Sequence, residues 1–126
     1  MPDFKYSGTP DTFATGAQRD ASAGKPRPDL VSPFFMLRVG KRLGQGAEAH
    51  GARNWENGIG MQRTYESLQR HLQQWVAGQN DEDHLAAVGC NLVFLIHYEE
   101  MHKRGLLPKE LNDMPNYNAD PEDRGE

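Results

Sequence analysis

An all-α helical bundle, completed by oligomerisation, is the fold this sequence predicts, and three observations predict it. Apolar residues recur three and four apart through residues 34–103. Helix-start and helix-stop residues bracket three such runs. Hydrophobic content is only 37% of 126 residues, so three broad apolar faces need a partner chain to close a core. No convincing strand pattern and no internal repeat interrupts this picture.

The chain divides into an extended N-terminal arm (1–32), a helical domain (33–106) and an acidic C-terminal tail (107–126). The arm is rich in Gly, Pro, Ser, Thr and Asp, with Phe4, Tyr6 and Phe13 scattered through it. Its densest part is Gly24-Lys25-Pro26-Arg27-Pro28-Asp29-Leu30, stiffened by two prolines. Ser32-Pro33 starts the first helix, with Ser as N-cap and Pro at the first helical position. Phe35, Val39 and Leu43 then mark one face, and the helix runs to about Gly46–Gly51. Gly40, Gly44 and Gly46 weaken it and permit close approach by a helix or ligand.

Residues 51–60 form a loop around Trp55, an indole that must anchor the loop or cover a ligand. The second helix carries the apolar stripe Tyr65, Leu68, Leu72 and Trp75 beside the polar stripe Arg63, Glu66, Arg70 and Gln73, and Gly78 ends it. The third opens with Asp81-Glu82-Asp83 at its positive end and closes with Lys103-Arg104-Gly105. Leu85, Val88, Leu92, Leu95 and Ile96 are its expected core face. Beyond it, a short helix is expected near 108–113, then a tail that is disordered or wraps a neighbour.

Charge narrows the function classes. Residues 1–33 carry four acids and four bases, and residues 34–106 carry eight of each. The last twenty carry six acids against two bases, so the tail holds the whole net charge of −4. A neutral body with an acidic tail disfavours direct DNA binding, which rewards a basic face. A nucleotide needs only two or three well-placed cations. The single cysteine, Cys90, sits in an apolar run and reads as a buried small residue. No secretory h-region or membrane-length apolar stretch is present, so a cytoplasmic protein with no membrane contact is expected.

Three features carry chemistry. Asp81-Glu82-Asp83-His84 is an acidic cluster at a helix start, and Asn91 follows His84 by seven residues on the same face. Glu66 on the neighbouring helix supplies another oxygen if the two helices are antiparallel. Such a set suits Mg²⁺ or Mn²⁺; ordinary capping and an i,i+4 Glu66–Arg70 pair account for the same residues. Arg53-Asn54-Trp55, with Lys25 and Arg27, offers phosphate donors, an amide and a stacking surface; a surface loop with a packed Trp is the competing reading. In His97-Tyr98-Glu99-Glu100-Met101-His102, Glu-x-x-His spacing suits metal, whereas its place beside Lys103 and Arg104 favours a solvated charged face. His71, one turn before Trp75, reads as a half-buried histidine.

Taken in order, four blocks resemble the phage MazZ-type dATP/dGTP diphosphohydrolase family. They are Gly-Lys-Pro-Arg-x-Asp-Leu (24–30), Gly-Ala-x-x-x-Gly-x-Arg-Asn-Trp-x-x-Gly (46–58), Tyr-x-x-x-x-Arg-His-Leu-x-x-Trp-x-x-Gly (65–78) and His-Leu-Ala-x-x-x-x-Asn-x-x-Phe-Leu (84–95). The wider superfamily comprises all-α NTP pyrophosphatases of the MazG and HisE type. The resemblance implies a MazG-like bundle, a homodimer or homotetramer, and dependence on Mg²⁺ or Mn²⁺. It marks segment 24–30 as substrate-facing. This chain departs from the MazG pattern: Glu-x-x-Glu and Glu-x-x-Asp pairs are missing from the expected places, and Gln79 stands where relatives usually have Glu.

The implied reaction is hydrolysis of a deoxypurine nucleoside triphosphate, dGTP favoured over dATP, to monophosphate and pyrophosphate. Its implied setting is an infected bacterial cell, where dGMP feeds phage 2-aminoadenine synthesis. Glu66, Asp81, Glu82, Asp83 and His84 are the candidate metal ligands, with Glu66 and Asp83 acting in catalysis. Lys25, Arg27, Arg53 and Arg70 are candidates for the charge on the leaving group. Asn54, Trp55 and Asn91 are candidates for base and sugar. The alternatives are a non-catalytic nucleotide-binding or interaction module on the same fold, and a pyrophosphohydrolase of another substrate such as phosphoribosyl-ATP.

Overall fold

The computed structural model describes residues 8–118, and the chain divides into two compact units, Met1–Val31 and Ser32–Glu126. Phe4 and Tyr6 of the arm, and Pro121 with the acids that follow it, lie outside the described residues.

The first unit is less featureless than its composition suggests. β1 (Asp11–Thr12) and β2 (Gln18–Arg19) form an antiparallel ribbon, so the expectation of no strand is corrected here. Gly16 makes the ribbon possible: its φ of 86° is open to glycine, and its N–H donates to the Phe13 carbonyl at 2.8 Å. A 3₁₀ turn at Pro28–Leu30 follows, where the Arg27 guanidinium grips Asp29 with two nitrogens.

The second unit is all-α among its described residues. α1 (Pro33–His50), α2 (Met61–Val76) and α3 (His84–Lys103) follow one another, with 3₁₀ turns at Asn54–Asn57 and Lys109–Leu111. Ser32 caps α1 by accepting from the Phe34 N–H at 3.2 Å, with Pro33 inside, as its sequence dictates. Asp83 caps α3 by accepting from the Ala86 N–H at 3.0 Å. α2 has Gly60 at its N-cap position, which offers no side-chain cap. Its free N–H at Gln62 is met instead by the Asp113 carboxylate, 2.8 Å away and 51 residues later.

α3 is the central helix, packed on one side by α2 and on another by α1. The expected core face of α3 is corrected by this arrangement. Leu85, Leu92 and Ile96 are exposed, Ile96 by 62%, while Ala86, Ala87, Gly89 and Cys90 are buried. The reason is steric. Two helices pack closely against α3 only where its residues are small, and a Cβ added at Gly89 would lie 2.6 Å from Val39 Cγ2. The large aliphatic side chains are left at the margins of these contacts, where Leu85 and Leu92 border a groove beside α1 and Ile96 is exposed. Tyr65 and Trp75 on α2 are likewise exposed, leaving Leu68 as the buried member of its stripe, while Phe35 on α1 is partly exposed but reaches α3 at Gly89. Tyr98 is the large side chain that is fully buried. Among the described residues, no helix is long and apolar enough to cross a membrane.

Candidate functional site

Antiparallel packing of α2 on α3 places two polar pairs in the seam between them. Asn91 Nδ2 donates to Ser67 Oγ at 3.3 Å, and His71 Nδ1 faces His84 Nδ1 at 3.0 Å. His84 and Asn91 share the buried face that their seven-residue spacing requires. Asn91, Ser67 and His71 form part of the wall of a cavity of about 290 Å³, with His84 buried behind His71.

α1 contributes Arg42, Gly46 and His50 to that cavity. The following loop adds Arg53, Asn54 and Trp55, and α3 adds Cys90, Asn91 and Phe94. The loop's left-handed residue is Arg53 itself, with φ 60°, which starts the turn carrying Asn54 and Trp55. Trp55 is held rather than free. Its ring stacks on Phe94 with centroids 4.8 Å apart and meets the edge of His97 at 4.9 Å. Tyr98 O–H donates to the Trp55 carbonyl at 2.6 Å, and burial pushes that phenol up to about 12. Trp55 therefore anchors the loop and lines the cavity at once. Cys90 is buried with its thiol toward the Val39 carbonyl, and burial raises its pKa.

The acidic cluster meets a different fate at each position. Asp83 is bound through both oxygens by Arg38, at 2.6 and 2.8 Å, which lowers its pKa to about 2. Glu82 pairs with Arg42 at 2.9 Å. Asp81 accepts from His84 Nε2 at 2.8 Å, which holds its carboxyl below the usual range. Glu66 stands on the exposed face of α2 between Arg63 and Arg70, and neither it nor Arg70 lines the cavity. Lys25 and Arg27 belong to the first unit. Of the proposed ligands, Glu82 and His84 converge with a third residue, His71, their ligand atoms all within 4.8 Å of one another. At the far end of α3, Glu100 pairs with Lys103 and Arg104, as a solvated charged face does.

His71, Arg42 and Ser67 are thus site residues that sequence reasoning did not assign. His71 carried a signal, because it lies in the same block as Arg70. Arg42 carried none, since its partner Glu82 lies 40 residues away.

The donor set fits a divalent cation. Burial holds His71 below its ordinary pKa, against the opposing pull of Glu82, so its imidazole is neutral near pH 7. In the tautomer that donates its Nε2–H to Asp81, His84 presents Nδ1 as an acceptor toward His71. A carboxylate behind a ligating histidine is the usual outer support of a metal site.

No curated protein and no solved structure matches the chain. A family described as dATP/dGTP diphosphohydrolase, N-terminal, matches residues 15–106, which takes in all three helices and every residue of the cavity wall. The chain belongs to the dATP/dGTP diphosphohydrolase family.

Proposed function

We propose that the protein is a metal-dependent pyrophosphohydrolase that cleaves a deoxypurine nucleoside triphosphate, dGTP or dATP, between its α and β phosphates. The observation that carries the reading is the cavity that gathers Arg53, Asn54, Trp55 and Asn91 beside the His71–Glu82–His84 cluster. Its volume of about 290 Å³ is near the lower bound of small-molecule sites, roughly 300–1,000 Å³, and suits a nucleoside with its phosphates projecting outward.

Trp55 and Phe94 offer apolar ring surface to the base, while Asn54, Asn91 and Ser67 offer donors and acceptors to base and sugar. Arg42 and Arg53 face the same space and supply positive charge for the phosphates. Lys25, Arg27 and Arg70 are proposed as further cations for the departing pyrophosphate. His71, Glu82 and His84 would hold a divalent cation, Mn²⁺ or Mg²⁺, which would supply charge neutralisation at the phosphates and a more acidic water. In the reaction, a water oxygen bonds to the α-phosphorus and the bridging P–O bond breaks. Pyrophosphate leaves with the electron pair, and the water proton passes to solvent. Homodimer or homotetramer assembly is part of the proposal, supported by the exposed Phe34, Leu37, Leu92 and Ile96. So is a setting in the cytoplasm of an infected bacterial cell, with dGMP feeding 2-aminoadenine synthesis.

One observation favours a second reading, a non-catalytic nucleotide-binding module. Asp83, Glu82 and Glu66 are each already paired with an arginine of the same chain. Product analysis with each dNTP and with GTP, in Mg²⁺, Mn²⁺ or EDTA, separates the two. Metal-dependent monophosphate and pyrophosphate establish the enzyme. Diphosphate and orthophosphate move the cleavage site and sink the mechanism. Nucleotide binding without turnover or metal requirement establishes the module.

A further inference from the structure

The family match ends at residue 106, but the packing of this chain does not. Just beyond it, Leu107 and Leu111 close over Gly58: a Cβ placed there would lie 2.8 Å from Leu111 Cδ1 and 3.0 Å from Leu107 Cδ2. Gly58 has φ 108°, so the loop at that point is committed to glycine twice over, by conformation and by space. Two residues on, Gly60 packs against the Asp113 carboxylate, 3.2 Å from where its Cβ would be. That carboxylate accepts from the Gln62 N–H at 2.8 Å and supplies the N-terminal cap that α2 lacks locally. Thr64 reinforces the joint by donating its hydroxyl to the Gly60 carbonyl at 2.9 Å.

These contacts fall on the short joint between two elements that line the cavity, the Arg53–Trp55 loop and α2. On its upstream side are Arg53, Asn54 and Trp55; on its downstream side, about two and three turns into α2, are Ser67 and His71. Residues 58–60 are Gly-Ile-Gly, so Ile59, which lines the cavity, is the one side chain beyond Cα that the joint itself contributes. We infer that residues 107–113 are a positioning strap for the nucleotide pocket. Leu107, Leu111 and Asp113 act through Gly58 and Gly60 to fix the Arg53–Trp55 loop against α2. The strap touches no reacting atom, so it governs how well the pocket is formed before substrate arrives. Its link to substrate affinity rests on the function proposed above; its link to loop order does not.

The test uses the full chain in a Trp75→Phe background, which leaves Trp55 as the single tryptophan. Asp113→Ala and Leu111→Ala are compared with Asp113→Asn, which keeps an acceptor oxygen. The inference expects amide exchange across residues 54–62 to rise about tenfold in the first two variants, the scale of losing one helix cap. Exchange in the core of α3 should hold, and Trp55 emission should shift to the red. KM for the triphosphate should rise with kcat largely kept, and Asp113→Asn should restore most of both. Exchange that rises equally in α3, or a kcat loss with KM unchanged, would mark a merely structural segment and overturn the inference. If the unsubstituted protein turns over no triphosphate, the proposed function fails, and exchange and fluorescence alone decide for or against the strap.

Discussion

His71 Nδ1 and His84 Nδ1 face each other at 3.0 Å in the seam between α2 and α3. Two ring nitrogens at that distance require one proton between them or one cation in its place. With Glu82 alongside, the second option predicts a binding site that can be titrated without any nucleotide. Mn²⁺ affinity, followed by calorimetry and by the electron paramagnetic resonance of the bound ion, is expected to collapse in His71→Ala. Asp81→Asn should lower it about 10–100-fold by loosening the His84 ring. Glu66→Gln should leave it unchanged. The reverse pattern, loss at Glu66 and none at His71, would place the cation on the outer face of α2.

Tyr98 supplies a prediction in alkaline solution. Its folded-state pKa is raised to about 12, above the ordinary value near 10. The neutral phenol therefore stabilises the fold fully below pH ~10, and that contribution is lost as pH rises toward 12. Tyr98→Phe should cost about 1–3 kcal/mol at pH 7, because the Trp55 carbonyl loses its donor. The gap between the two proteins in urea unfolding should narrow above pH ~10. A gap that stays constant to pH 12 would contradict the assignment.

Asp83 makes the opposite prediction in acid. Arg38 and the α3 N-terminus lower its pKa to about 2, so its contribution is present above the ordinary pKa near 4 and lost as pH falls toward 2. The carboxylate is 39% exposed, so solvent screening limits the effect to about 1 kcal/mol. Asp83→Asn keeps an N-cap acceptor but removes the charge, and it should flatten the stability profile between pH 4 and 2. Thermal unfolding across that range measures it.

The close approach of α1 to α3 can be tested by adding one methyl group. Gly89→Ala would set its Cβ 2.6 Å from Val39 Cγ2 and 3.3 Å from Phe35, an overpacking worth about 1–3 kcal/mol. Neither neighbour can withdraw cheaply, since the Val39 side chain is short and buried. Val39→Ala alone should destabilise by leaving a void, but combined with Gly89→Ala it should restore part of the loss. Strict additivity in the double variant would mean that the helices simply move apart.

The three helices were legible in the sequence because their signals are local. Ser32-Pro33, the acids before His84 and the glycines at 78 and 105 act within one turn of the backbone that they start or stop. The orientation of α3 was not legible, since its apolar residues surround the helix. Only the proximity of α1 and α2 selects which side is buried, and it selects alanine and glycine over leucine. The site divides in the same way. Trp55 stands out in a polar, glycine-rich loop, Arg53 and Asn54 stand beside it, and Asn91 shares a helix face with His84; the cavity gathers Arg53, Asn54, Trp55 and Asn91. Arg42 and Ser67 looked like ordinary helix-surface residues, and their role depends on contacts across elements. Glu66 shows the converse: its sequence position suits a metal ligand as well as an ion pair with Arg70, and the structure forms the pair, at 3.4 Å, on a face the cavity does not include.

The Asp113 cap on α2 also has a consequence in time. A ribosome finishes α2 at Val76 and then adds α3 before it reaches the carboxylate 51 residues past Gln62. The α2–α3 hairpin can form from near neighbours as it emerges, but the start of α2 stays frayed until the last turn beyond α3 is made. The pocket loop is therefore expected to order last during synthesis, after the helices that surround it.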